Sequence, residues 1–207
     1  MSWFTADLHI HSVLSPCADI TMTPRNIINY AADSGINIVA ITDHNAADNV
    51  PATIEAANDA GVTVIPGMEV ETSEEIHVLV LFSNITLLRR WEEIVERHRN
   101  GLLNDEKVYG AQIIVDAQDN LVGTKKEMLL APLRLNLSRV CTIVSQLGGI
   151  CIASHIERPA NGLLSHLGFI PPGIGLAAVE MTSYPEQSRQ EEVFNRTGSF
   201  PVIANSD

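Results

Sequence analysis

One pattern recurs along this 207-residue chain and constrains its fold more than any other feature: a helical stretch, a glycine, then an apolar run with strand preferences. "TPRNIINYAADSG" opens with Thr23 as N-cap and Pro24 at the first helical position, stops on Gly35, and feeds "INIVAITDH". "VPATIEAANDAG" stops on Gly61 and feeds "VTVIPGMEVET", with "IHVLVLF" soon after. "LSRVCTIVSQLGG" feeds "ICIASH", and "PEQSRQEEVFNRTG" feeds "FPVIANSD". Strands that are apolar on both faces need cover on both faces. Alternating with helices, they predict a parallel sheet wrapped by helices, an α/β fold that is either open or closed into a barrel.

The middle of the chain breaks the rhythm. "LLRRWEEIVERHRNG" reads as an amphipathic helix with Leu87, Leu88, Trp91, Ile94 and Val95 on one stripe. "QIIVDAQDNLVG" reads as a hairpin turning near Asp119 and Asn120. Residues 84–137 are therefore expected to elaborate a single domain spanning 1–207, a length that suits one core. Three cysteines, Cys17, Cys141 and Cys151, form no disulfide framework, and Cys141 and Cys151 read as core residues. "MSWFTADL" lacks the charged-then-apolar form of a secretory leader, and no apolar run reaches membrane-spanning length. The expectation is a cytoplasmic protein without a membrane partner. A net charge of −12 argues against a broad duplex nucleic-acid surface, while leaving room for a short single strand. An anionic substrate would then be drawn in locally, by bound cations.

Polar residues gather where strands end. In "ADLHIHS", strict alternation puts Asp7, His9 and His11 on one face, with Leu8 and Ile10 on the other. The second strand ends in Asp43 and His44, the third reaches Glu69, the next begins near His77, another ends in His155, and the last residue is Asp207. In parallel α/β sheets, sites are built at the C-terminal strand ends. Buried imidazoles and carboxylates cost free energy unless paired or liganded, so the distribution predicts a multi-histidine, carboxylate metal site. Asp7 and Asp43, each close before a histidine, are expected to orient imidazoles from behind. Glu180 in "AAVEMTS" reads equally as such a support or as part of a buried salt bridge, and Glu71 as a spare carboxylate. His98 reads as solvated and His166 as structural.

Taken in order, "DLHIHS", "TDHN", "PGMEVE", "IHVLVLF", "ASHIERP" and the closing "NSD" resemble the motifs of the PHP (polymerase and histidinol phosphatase) superfamily, over essentially the whole chain. The "HSVLSPCAD" start is similar to a stand-alone bacterial subgroup. The resemblance implies a distorted (β/α)7 TIM-like barrel of parallel strands, with two or three divalent ions (Zn, Mn or Fe) at its C-terminal face. It implies metal-dependent hydrolysis of a phosphoester on a small phosphorylated metabolite or nucleotide, by metal-activated water. It assigns His9, His11, Glu69 and Asp207 to one ion, with Glu69 shared by a second that adds His77 and His155. A third would use His44, a residue after the first motif, and a histidine two positions beyond the final aspartate.

Two departures follow. The chain stops at Asp207, before that histidine, so truncation within the last motif is expected. Pro16 stands where the family's acidic ligand commonly falls; Asp19 is the preferred substitute and Cys17 its competitor. Arg158 and, second, Arg134 are the candidate phosphate-binding cations. Alternative readings are a PHP-like module that binds metal without catalysis, and an amidohydrolase-type C–N hydrolase, which usually requires a bridging lysine where this chain has a glutamate.

Overall fold

A computed structural model of the chain describes residues 3–183, 197–198 and 200–207. Seven strands form one sheet in the order β1 (Ala6–Ile10), β2 (Ile38–Ile41), β3 (Thr63–Glu71), β4 (His77–Leu81), β7 (Ile150–Ala153), β8 (Leu176–Glu180) and β9 (Val202–Ile203). The sheet is strongly curled into a half-barrel with flanking helices, a distorted TIM-like barrel. Its two edges meet without a strand ladder. The Leu8 N–H donates to Asn205 Oδ1 at 2.9 Å, and the Asp207 N–H donates to His9 O at 3.2 Å. Two further strands, β5 (Ile113–Val115) and β6 (Leu121–Thr124), form a separate antiparallel hairpin whose turn residue Asp119 has φ 64°.

Among the described residues the helices are α1 (Pro24–Asp33), α2 (Val50–Ala56), α3 (Ile85–His98), α4 (Glu106–Tyr109), α5 (Leu137–Gln146) and α6 (Leu163–Leu167). Pro24 starts α1, and Gly35 follows it with φ 71°, a conformation that glycine adopts without penalty. Asn84 and Asn136 cap α3 and α5 by accepting from the Leu87 and Arg139 N–H groups. The buried stripe of α3 is Leu88, Trp91 and Val95, at the spacing of one helix face. These residues join Ile27 and Ile28 of α1 and Val140 and Val144 of α5 against the outer face of the sheet. The inner face carries Leu8, Ala40, Ile65, Leu79, Ile152 and Ala178, all of them strand residues. The helix expected over "PEQSRQEEVFNRTG" falls almost wholly outside the described residues. Among the described residues, no helix is long and apolar enough to cross a membrane.

Two local expectations are corrected. The sheet is not parallel throughout: β4 runs antiparallel to both β3 and β7. Only residues 72–76 separate β3 from β4, and so short a link makes a hairpin, never a parallel crossover. Alternation in β1 also fails. Asp7 pairs with Val39 but Ile10 with Ile41, so β1 holds one residue more than β2 over the same span. The extra residue is a bulge, which lets Leu8 face inward and Ile10 face the helices.

Candidate metal centre

Glu69, near the end of β3 and almost fully buried, is the hub of the polar end of the sheet. His9 and His11 reach it from β1 and the residue beyond, His44 from the loop after β2, His77 from the start of β4 and His155 from the loop after β7. Because β4 is antiparallel, its first residue lies at the same end as the last residues of its neighbours. The His44 loop is fixed to β3: the Asn45 N–H donates to Glu69 O at 2.8 Å, and the Glu69 N–H donates to Thr42 O at 3.2 Å. The Arg99 guanidinium grips Asn45 O, and Asn45 Nδ2 donates to Leu129 O at 2.9 Å, so the segment after α3 braces this loop.

Five imidazoles surround the one carboxylate. Glu69 Oε1 lies 3.3 Å from His9 Nε2, 3.1 Å from His77 Nδ1 and 3.3 Å from His155 Nε2. Oε2 lies 3.4 Å from His11 Nε2 and 3.1 Å from His44 Nδ1. The rings themselves close a circle, with centroids 4.5–5.9 Å apart in the sequence His9, His11, His44, His77, His155 and back to His9. Asp207 Oδ1 stands 3.4 Å from both His9 Nε2 and His11 Nε2. His9 Nε2, His11 Nε2, His77 Nδ1 and Glu69 Oε1 are buried yet make no hydrogen bond. Such orphaned polar atoms are costly in a protein interior, and a cation is the partner whose chemistry suits all of them together. Overlapping triads, His9 with His11 and Glu69, and His44 with Glu69 and His77, each bring three ligand atoms within 4.8 Å of one another. The residues present fit a polynuclear metal centre.

The supports behind the ring define its tautomers. His9 Nδ1 lies 2.8 Å from Glu180 Oε2; a carboxylate only accepts, so Nδ1 carries the proton and Nε2 presents its lone pair to the centre. Glu180 also accepts from the His155 N–H at 3.1 Å and from Asn205 Nδ2 at 2.6 Å. The first of these holds His155 at φ 27°, a strained value of the kind that recurs at functional sites. His11 Nδ1 faces Ser15 Oγ at 3.2 Å, whose own proton goes to Asp43 Oδ1 at 2.7 Å. Asp43 thus acts on His11 through Ser15 instead of touching an imidazole. Asp7 accepts from the His9 and Ser206 backbone N–H groups and, among the described residues, contacts no imidazole.

Burial and charge compete here. Burial pushes the His11 imidazole down, but the nearby carboxylates of Asp207 and Glu69, each 3.4 Å from Nε2, outweigh it and hold the pKa at about 9. For His44 burial wins over the Glu69 charge and takes it to about 3. Burial would raise Glu69, yet His9, His77 and His44 together hold it well below the usual carboxylate range.

The structure does not gather every candidate. Asp19 is fully exposed and spends its carboxylate on the Thr21 N–H and Oγ1, at 2.9 and 2.8 Å. Its competitor Cys17 instead lies with His11 and His44, one ligand atom of each within 4.8 Å of the others. Arg134 donates to Arg99 O at 3.1 Å and lines a separate cavity with Asn136 and Arg139, away from the histidines. Arg158 is at the centre: its Nη1 lies 2.5 Å from Asp207 Oδ2, and it lines a cavity of about 310 Å³ with His9, His11, Cys17 and Met22. His98 is half-buried and bonded to Ile94 O at 2.8 Å, so it is not a solvated side chain.

The PHP domain model matches residues 7–166. The chain belongs to the PHP domain family. This PHP chain is 38% identical over 101 residues to an uncharacterized protein of Methanocaldococcus jannaschii, covering 44% of this chain and 59% of that one. It is 32% identical over 78 residues to the 5′-3′ exoribonuclease of Haemophilus influenzae, covering 36% of this chain and 27% of that one. It therefore spans less than two thirds of these curated relatives. In fold it is similar to the lesion-specific endonuclease EndoQ of Pyrococcus furiosus, with a TM-score of 0.68 at 19% identity over 99% of this chain and 48% of that one. An endonuclease Q structure holding a 27-mer duplex with an abasic lesion at its active site gives the same TM-score at 19% identity, over 97% and 48% of the two chains. That complex overturns the exclusion of a duplex surface. A protein of this fold holds a duplex at its active site, so the fold itself does not exclude one, and a net charge summed over the whole chain says nothing about the local potential at a site.

Proposed function

We propose that this PHP chain is a metal-dependent phosphoesterase, its ions held by His9, His11, Glu69 and Asp207, with Glu69 shared toward His77 and His155 and His44 beside them. The observation that carries the reading is the closed ring of five imidazoles about one buried carboxylate, with ring nitrogens that no protein group satisfies. Mixed imidazole and carboxylate donors suit two or three divalent ions of zinc, manganese or iron. Bound there, such ions polarise a phosphoryl oxygen and acidify water at neutral pH.

The protein's own groups do the rest. Glu180 keeps the His9 proton on Nδ1, and Ser15, backed by Asp43, does the same for His11. Arg158, more than a third exposed beside Asp207, presents donors at the cavity edge where the phosphoryl oxygens of a substrate would sit. No nucleophilic side chain is required by this scheme. The substrate class is a phosphomonoester or phosphodiester of nucleotide type. The exoribonuclease and endonuclease relatives, whose chemistry is phosphodiester cleavage, support the diester.

The test is hydrolysis of a chromogenic phosphodiester, a nucleotide panel, and single-stranded and duplex oligonucleotides by purified protein, with and without chelator. We expect turnover that chelator removes and manganese or zinc restores. Metal-loaded protein inert toward every phosphoester would overturn the reading in favour of a binding module.

A further inference from the structure

We propose that Cys17 contributes a thiolate beside His11 and His44 at one end of the same multi-histidine centre, and that its sulfur makes this subsite select zinc over magnesium or manganese. The inference rests on the metal-dependent reading above and adds a ligand type that the Glu69-centred triads lack. Three facts carry it. One ligand atom from each of Cys17, His11 and His44 lies within 4.8 Å of the other two. His11 and His44 are both more than nine-tenths buried, and His11 Nε2 has no hydrogen-bond partner. Cys17 also lines the cavity that holds His9, His11, Arg158 and Asp207, so its thiol faces the reaction space and not the core.

The local sequence explains the placement. Ser15, Pro16, Cys17 and Ala18 make a turn closed by the Ala18 N–H to Ser15 O at 3.0 Å, with proline at the second position where its fixed φ is preferred. The turn is anchored from beneath. Asp43 accepts from the Ser12 N–H at 2.7 Å, from Ser12 Oγ at 2.6 Å and from Ser15 Oγ at 2.7 Å. The third residue of the turn, Cys17, is what this clamp delivers to the histidines. Asp19 lies beyond the turn with its carboxylate already committed to Thr21. A thiolate with two imidazoles is a donor set for zinc, whereas magnesium and manganese prefer oxygen. On binding, the thiol proton passes to solvent as the sulfur–metal bond forms, and no electron changes hands.

Cobalt(II) reports sulfur ligation directly. On titrating cobalt into the full chain, we expect a near-ultraviolet sulfur-to-cobalt charge-transfer band that Cys17→Ser removes while visible ligand-field absorption from the imidazole sites persists. In the same variant, zinc affinity at this subsite should fall by more than the roughly 10–100-fold that loss of a supporting hydrogen bond costs. Cys17→Asp should bind manganese where the parent binds zinc. Cys141 and Cys151 are buried, so iodoacetamide labelling reads Cys17, and zinc should protect it. Ligand-field absorption without the charge-transfer band, or equal alkylation with and without zinc, would overturn this inference and leave the phosphoesterase reading standing. Absence of any cobalt binding would overturn both.

Discussion

The two mouths of the curled sheet are made by the same strands and hold opposite chemistry. On β3, Val64 and Ile65 lie toward one end and Glu69 toward the other; on β4, Leu81 and His77 divide the same way. The apolar mouth is a groove of about 390 Å³ lined by Leu8, Val64, Ile65, Leu81, Phe82 and Ile150. The opposite mouth gathers five imidazoles, four of them buried, and a buried carboxylate around unsatisfied nitrogens. The apolar end is held by burial of carbon surface, roughly 25 cal/mol per Å², and needs no ligand. The polar end carries desolvated ionisable groups that protein contacts alone do not satisfy, the mark of a site maintained for chemistry and not for stability. Perturbing each mouth in turn should therefore move different observables.

The largest effect belongs to the hub. Glu69→Gln removes the charge that all five imidazoles face, and phosphodiester hydrolysis should fall on the order of 1000-fold or more, about 4 kcal/mol in the barrier. Retention of activity within tenfold, read as kcat/KM, would break the contrast between the mouths. Next is the support behind the hub. Glu180→Gln leaves the His9 nitrogen with a neutral partner, and metal affinity should drop about 10–100-fold, as measured by chelator competition.

The pH dependence of the metal-free protein separates the mouths by stability. His11, held at about 9 against 6.5 for the free imidazole, favours the fold fully below about pH 6.5, and that contribution is lost as pH rises through 9. His44, pushed down to about 3, acts in the opposite sense: the unfolded chain takes up its proton first, so stability falls as pH drops from 6.5 toward 3. Thermal unfolding in chelator should accordingly peak near pH 6.5, and bound metal should flatten the profile. A monotonic profile would show that these two groups do not control it.

At the apolar mouth the effect is smallest and purely structural. A Cβ on Gly149 would stand 2.5 Å from Phe82 Cε1 and 2.9 Å from Leu81 O, so Gly149→Ala should cost about 1–3 kcal/mol of stability. The melting temperature should fall while metal stoichiometry stays unchanged. A loss of metal in that variant would mean that the two ends are coupled.

What the sequence made legible, and what it hid, divides along the range of the contacts. Helix and strand alternation, the caps at Pro24 and Gly35, and the hairpin turn at Asp119 are local patterns, and the structure reproduces them. The histidines at strand ends were readable because an imidazole in an apolar strand is conspicuous wherever the strand goes. The direction of β4 was lost because alternation looks the same in both directions; the five-residue link at 72–76 was the available signal. The bulge in β1 left no mark, since its extra residue appears only as a register shift against β2. Glu180 could not be ranked because its partner His9 lies 171 residues away, while Asp19 is turned aside by its near neighbour Thr21 and Arg134 by Arg99, 35 residues away. Cys17 was visible as a competitor but not decidable, since its placement depends on a turn held by Asp43 from the loop after β2.

The most direct test of a polynuclear centre about Glu69 is metal content per chain by elemental mass spectrometry, on protein purified without chelator and on a His9→Ala, His11→Ala variant. We expect two or more ions in the parent and a clear drop in the variant. Zero or one ion, unchanged in the variant, would contradict it.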